Sequence, residues 1–146
     1  MKLLSLSKIY PKMKIYPALL LLIITIIPLH SQVTEKNYRI YSVGLAKEIT
    51  LDDIARDMAG YDVLFFGEEH NDSAAHYLEA AMLEAMYRQY GTAVTLSLEM
   101  FDRDVQFIVN EYLADAIREK NFTRDARAWK NYRDYRPMVE FVKTNH

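Results

Sequence analysis

The sequence predicts an α/β fold, a partial parallel sheet built from strand–helix–strand units and truncated at its C-terminal side. Three observations point there. Val63 to Phe66 and Ala93 to Leu98 are short apolar runs of the kind buried on both faces of a parallel sheet. A helix-like stretch of about 17 residues lies between them, the length a crossover connection requires. Both runs stop abruptly at ionisable residues, Glu68-Glu69-His70 and Glu99, and open α/β sheets bind ligands outside the carboxyl ends of their strands.

Taken in order, the chain opens with an export signal. Lys2, Lys8, Lys12 and Lys14 form a basic lead, and Ala18 to Leu29 is a nearly unbroken apolar run of 12 residues. That is short of the about 20 residues needed to cross a bilayer core, so a signal peptide over residues 1–31 is favoured over an uncleaved anchor. Ser31 before Gln32 offers a small residue for cleavage. The domain is then residues 32–146. Tyr38 to Val43 alternates as a short strand ending near Gly44. Thr50 and Asp53 form a capping box for a helix carrying Leu51, Ile54, Ala55 and Met58, which Gly60 stops. Asn71, Asp72 or Ser73 caps the long helix, whose inner face is Ala74, Leu78, Ala81, Met82, Ala85 and Met86, and Gly91 ends it. Asp102 caps a third helix with Val105, Ile108, Val109, Tyr112 and Leu113 on one stripe. A last helix is expected to start at Arg136-Pro137, since proline suits the first helical position.

Charge and composition narrow the function classes. Without residues 1–31 the chain carries 14 basic and 20 acidic side chains, a net charge of −6 with His neutral. A net-acidic chain with no basic stripe excludes nucleic acid as a partner. There is no cysteine, which removes disulfides, thiolate metal sites, thiol nucleophiles and a lipid-modified cysteine after the signal. No phosphate-binding glycine loop, nucleophile elbow or two-histidine zinc helix is present.

The chemistry therefore rests on the strand ends. If extended geometry persists past Gly67, Glu68 and His70 point the same way and can hold a divalent metal or act as a base with its orienter. The plain alternative is an ordinary polar loop. Glu99 on the neighbouring strand would lie about 5 Å away and complete a Glu68, His70, Glu99 set. Arg103 either joins that site or simply neutralises Glu99. His76, in the first turn of the long helix, faces either the same cleft or solvent. Among 11 tyrosines, Tyr132 and Tyr135 near Trp129 either flank a planar ligand or cover the domain. Met82 and Met86 read as core.

These residues carry a resemblance. Val63-Leu64-Phe65-Phe66-Gly67-Glu68-Glu69-His70-Asn71-Asp72, then His76, then Leu98-Glu99-Met100-Phe101-Asp102-Arg103-Asp104 resembles the ChaN-like haem-binding uptake proteins. Glu111-Tyr112-Leu113 and the late Trp129 and Tyr135 to Phe141 are similar as well. The resemblance implies an exported bacterial haem-binding protein of the periplasm or cell envelope, linked to iron uptake. It implies haem as cofactor, a homodimer whose subunit interface supplies a tyrosine ligand that no motif locates here, and outer-membrane uptake machinery as partner. His70, His76 and Arg103 are the haem-side candidates. More distantly the family is similar to erythromycin esterases and Tiki-type metalloproteases, which implies the alternative of a metal-dependent hydrolase using Glu68, His70 and Glu99. Two departures stand out. Asn71 occupies the place where relatives carry aspartate, and the chain ends where relatives continue into further strands, so the domain is expected to be an N-terminal portion.

Overall fold

The computed structural model describes residue 34 and residues 37–145, which lie within one unit, Val33–His146. The expected signal peptide falls outside the described residues. Strand β1 (Ile40–Ser42) pairs antiparallel with β2 (Lys47–Ile49), Ile40 opposite Ile49. The Ser42 hydroxyl accepts the Leu45 N–H at 3.2 Å and Ala46 takes φ 51° to close the turn. Only β1 was legible in the sequence, because Lys47-Glu48-Ile49 has no apolar alternation to mark it.

Helix α1 (Leu51–Asp57) begins at the expected box: the Asp53 N–H donates to the Thr50 hydroxyl at 3.1 Å and the Thr50 N–H to the Asp53 carboxylate at 2.8 Å. Helix α2 (Ser73–Tyr90) is capped by Asp72, which accepts the Ala74 N–H at 2.8 Å. Gly91 ends it with φ 58° and ψ −136°, a conformation open to glycine. Ala55 of α1 buries against Met82 and Ala85 of α2, and the Tyr90 hydroxyl donates to the Ala55 carbonyl at 2.7 Å. These two helices form a small core of their own.

The larger core gathers α3 (Gln106–Leu113), α4 (Glu119–Asp125) and α5 (Tyr132–Asn145) around Phe122, which is fully buried. Phe122 stacks on Tyr112 with ring centroids 4.3 Å apart and planes within 2°, and Phe101 and Tyr132 close its other sides. Aromatic contact beyond simple burial is worth about 0.5–1.5 kcal/mol per pair, so this cluster anchors the three helices. Helix α5 starts at Tyr132, so Pro137 stands inside it rather than at its first position. Burial of Tyr132 and Tyr135 in the first turn outweighs the one backbone bond the proline removes.

The expected partial parallel sheet is overturned. Among the described residues the one ladder is the antiparallel β1–β2 hairpin, and the chain is mainly helical. Residues 63–66 pair with no strand and remain uncovered, Phe65 being 92% exposed. In residues 94–98 Val94, Leu96 and Leu98 pack on the larger core, while Thr95 and Ser97 are exposed. A parallel sheet requires cover on both faces and lateral neighbours. Helices α2, α3 and α5 supply cover on one side only, and an apolar run does not reveal whether its neighbours exist.

Candidate functional site

Between the 61–68 and 93–100 segments and helix α2 lies a groove of about 1050 Å³. The apolar side chains of residues 63–66 and Met82, Met86 and Met138 line it, and Glu68, His70, Glu79, Trp129 and Tyr135 supply its polar end. That end is built by three pieces of chain far apart in sequence: the loop after residue 67, the first turns of α2, and the start of α5.

Glu68 is the hub, its side chain 12% exposed. Its Oε1 accepts the Tyr135 hydroxyl, and His70 Nδ1 lies 2.8 Å from the same oxygen. A carboxylate only accepts, so Nδ1 carries the ring hydrogen of His70. No partner holds His70 Nε2 among the described residues, and the ring is half-exposed toward the groove with Trp129 edge-on at 5.1 Å. The Asn131 side chain donates to the His70 carbonyl at 3.3 Å and fixes the loop from the α5 side.

The second oxygen of Glu68 faces inward. His76 is buried, and its Nδ1 lies 3.1 Å from Glu68 Oε2 and 3.3 Å from Glu79 Oε2. Its Nε2 lies 3.0 Å from the His70 carbonyl, an acceptor, so Nε2 carries a hydrogen. Tyr135 packs on His76 edge-on at 4.7 Å. One hydrogen on Nδ1 cannot point at both carboxylates. It points at Glu79, and Glu68 Oε2 is left buried without a hydrogen-bond partner although the ring nitrogen is close.

The electrostatics follow from that arrangement. Burial pushes the Glu68 carboxyl up, yet the Tyr135 and His70 hydrogen bonds and the His76 charge outweigh it and hold it below its ordinary value. Burial, helped by the neighbouring Glu68 charge, raises Glu79. Burial opposes charging of His76, but the bonds to Glu79 and the His70 carbonyl and the Glu68 charge raise it. Tyr135 is raised by burial and by its bond to Glu68.

Of the residues singled out in the sequence, Glu68, His70 and His76 come together. Glu99 lines the groove but is exposed and makes no hydrogen bond or ion pair among the described residues. Arg103 is turned to Gln106 at 3.3 Å instead of to Glu99, and Asp102 and Asp104 are held by Arg127. The five-ångström approach expected for Glu99 depended on two paired strands, and that pairing is absent. Glu79 went unnoticed in the sequence, although His76 and Glu79 stand at the i, i+3 spacing that brings helical side chains together. The bond from Tyr135 to Glu68 has no sequence signal, because 67 residues separate them.

Over residues 54–146, more than half of the chain, the sequence matches the family described as haem-binding uptake, Tiki superfamily, ChaN. No curated protein and no solved structure matches it.

Proposed function

The chain belongs to the ChaN family of haem-binding uptake proteins in the Tiki superfamily, and from that premise we propose that it binds haem in the groove, as an exported protein serving iron acquisition. The observation that supports this reading most is His70. Its Nδ1–H is committed to Glu68 at 2.8 Å, while its Nε2 has no partner among the described residues and the residue lines the groove. A histidine that ligates a metal characteristically donates its other ring hydrogen to a carboxylate or carbonyl, which fixes its orientation and strengthens it as a donor. Histidine is also an established haem ligand type.

The groove fits such a ligand. Its volume of about 1050 Å³ stands at the upper end of the range for small-molecule sites, and its walls are mainly apolar with a few polar groups at one end. When bound, haem supplies an iron centre whose ligation the protein controls. The chain's own part is to hold His70 in one tautomer through Glu68, to fix its loop through Asn131, and to offer apolar walls to a planar macrocycle. Export over residues 1–31, a homodimer and delivery by outer-membrane machinery belong to the same reading. A tyrosine from a second copy would complete the ligation.

Haemin titration of the purified chain tests it. The expected result is a saturable Soret change with defined stoichiometry, weakened at least about tenfold, or about 1.4 kcal/mol, in His70→Ala. A wild-type chain with no saturable Soret change defeats the haem reading. An unchanged affinity in His70→Ala defeats the role given to His70.

A further inference from the structure

We propose that Glu68 Oε2, His76 Nδ1 and Glu79 Oε2 form a site for a divalent transition-metal cation of the zinc type, set behind the groove that His70 faces. The site stands on its own geometry and does not rest on the haem reading. The three ligand atoms lie within 4.8 Å of one another. Two of the separations are 3.1 and 3.3 Å. Ligands bonded to zinc at about 2.0–2.1 Å in tetrahedral geometry stand about 3.3–3.4 Å apart, which the two His76–carboxylate separations already match.

Each ligand is already oriented from behind. His76 donates its Nε2–H to the His70 carbonyl at 3.0 Å, which directs Nδ1 at the two carboxylates. Glu68 is held through its other oxygen by Tyr135 and His70, leaving Oε2 to the site. Among the described residues that oxygen is buried without a hydrogen-bond partner, and buried polar atoms of this kind call for an explanation such as an ion.

Charge balance points the same way. Two ionised carboxylates and a neutral imidazole compensate one dication completely, whereas a single imidazolium leaves one negative charge over in a largely buried place. The donor set selects among cations: an imidazole with two carboxylates suits zinc and its neighbours, while calcium and magnesium favour all-oxygen shells of six or more ligands. Glu68 and Glu79 both line the groove, so a cation can enter from it and a water can take the open position. The set differs from the sequence-based one of Glu68, His70 and Glu99. His70 is committed to the other oxygen of Glu68, and Glu99 stands apart, exposed.

The test uses the full chain stripped with a chelator and then given Zn²⁺, with Mg²⁺ in parallel. Bound metal is measured after dialysis, Co²⁺ replaces Zn²⁺ for a visible d–d spectrum, and melting is followed with and without metal. The expected results are one Zn²⁺ per chain, a raised melting temperature with Zn²⁺ but not Mg²⁺, and at least tenfold weaker binding in Glu79→Gln and in His76→Gln. Glu99→Gln should bind as the wild type does, and circular dichroism confirms that each variant is folded. A wild-type chain that retains no zinc and melts at the same temperature with or without it overturns the proposal. So does zinc binding that survives Glu79→Gln and is lost in Glu99→Gln. Haemin titration of zinc-free Glu79→Gln separates the two readings, since a retained Soret response leaves haem binding standing whatever the zinc result.

Discussion

Replacing Tyr135 by Phe removes one hydroxyl and leaves the ring that packs on His76 and Trp129. The hydroxyl donates to Glu68 Oε1, Tyr135 is 3% exposed, and the Glu68 side chain is 12% exposed, so water does little to replace the lost bond. A hydrogen bond to a charged group contributes about 1.5–3 kcal/mol. For a chain of 146 residues that corresponds to a melting temperature lower by about 5–10 °C. The pH dependence identifies the cause. Glu68 has a depressed pKa in the folded protein, so the stability it contributes is present above its ordinary value of 4.5 and is lost as pH falls through the folded value. Once Glu68 is protonated the bond is between neutral groups, and its net worth falls to about 0.5–1.5 kcal/mol. Urea denaturation of the wild type and Tyr135→Phe at pH 7 and over a descending series of pH values below 4.5 measures both quantities. A penalty that stays the same size throughout would show that the hydroxyl's contribution does not depend on the Glu68 charge, and no penalty at pH 7 would refute the bond.

Two further outcomes are expected. Phe122→Ala empties the centre of the aromatic cluster and should cost about 3–5 kcal/mol, seen as a lower urea midpoint at unchanged slope. His76 has a raised pKa, so its contribution is complete below its ordinary value of 6.5 and is lost as pH rises through the folded value. The metal-free chain should therefore lose stability as pH rises above about 6.5, and His76→Gln should flatten that slope.

Local signals in the sequence carried through and non-local ones did not. Thr50 with Asp53, Asp72 and Gly91 mark helix ends because a cap is decided by residues three or four positions apart. Glu68 and His70 meet because they are two residues apart, and His76 joins them through the first turn of α2. The parallel sheet failed for the opposite reason. The apolar runs at 63–66 and 93–98 say that side chains avoid water, not which segments lie alongside, and what covers residues 94–98 is helix on one face. Glu99 is expected beside Glu68 only through that pairing; it still lines the groove. Pro137 was read as a helix start because proline favours that position, but Tyr132 and Tyr135 need a helical turn before it to reach Phe122 and Glu68. Tyr135 and Trp129 stood out as aromatic company for a planar ligand; their contact with the Glu68–His70 pair needed the fold to be visible.

The two oxygens of Glu68 face two different sites, and that has an energetic consequence. Oε1 accepts from His70 and Tyr135 on the groove side, and Oε2 stands with His76 and Glu79. A cation on Oε2 draws electron density from the carboxylate and weakens Oε1 as an acceptor. His70 then loses part of the carboxylate support that makes Nε2 a strong donor. Zinc loading should therefore weaken haem binding, within the factor of about 5–150 that couplings of 1–3 kcal/mol between sites produce. Linkage requires the reverse effect to be equal, so haem must weaken zinc binding by the same factor. Haemin titrations with and without Zn²⁺, and Zn²⁺ titrations with and without haemin, measure both arms. Glu79→Gln should bind haemin and ignore Zn²⁺, because it removes the cation while keeping the Glu68–His70 bond. Unequal arms would mean that Zn²⁺ acts on something other than this equilibrium. A haemin affinity indifferent to Zn²⁺ would mean that Glu68 does not transmit between its two oxygens, and that His70 is held by its loop and Asn131 instead.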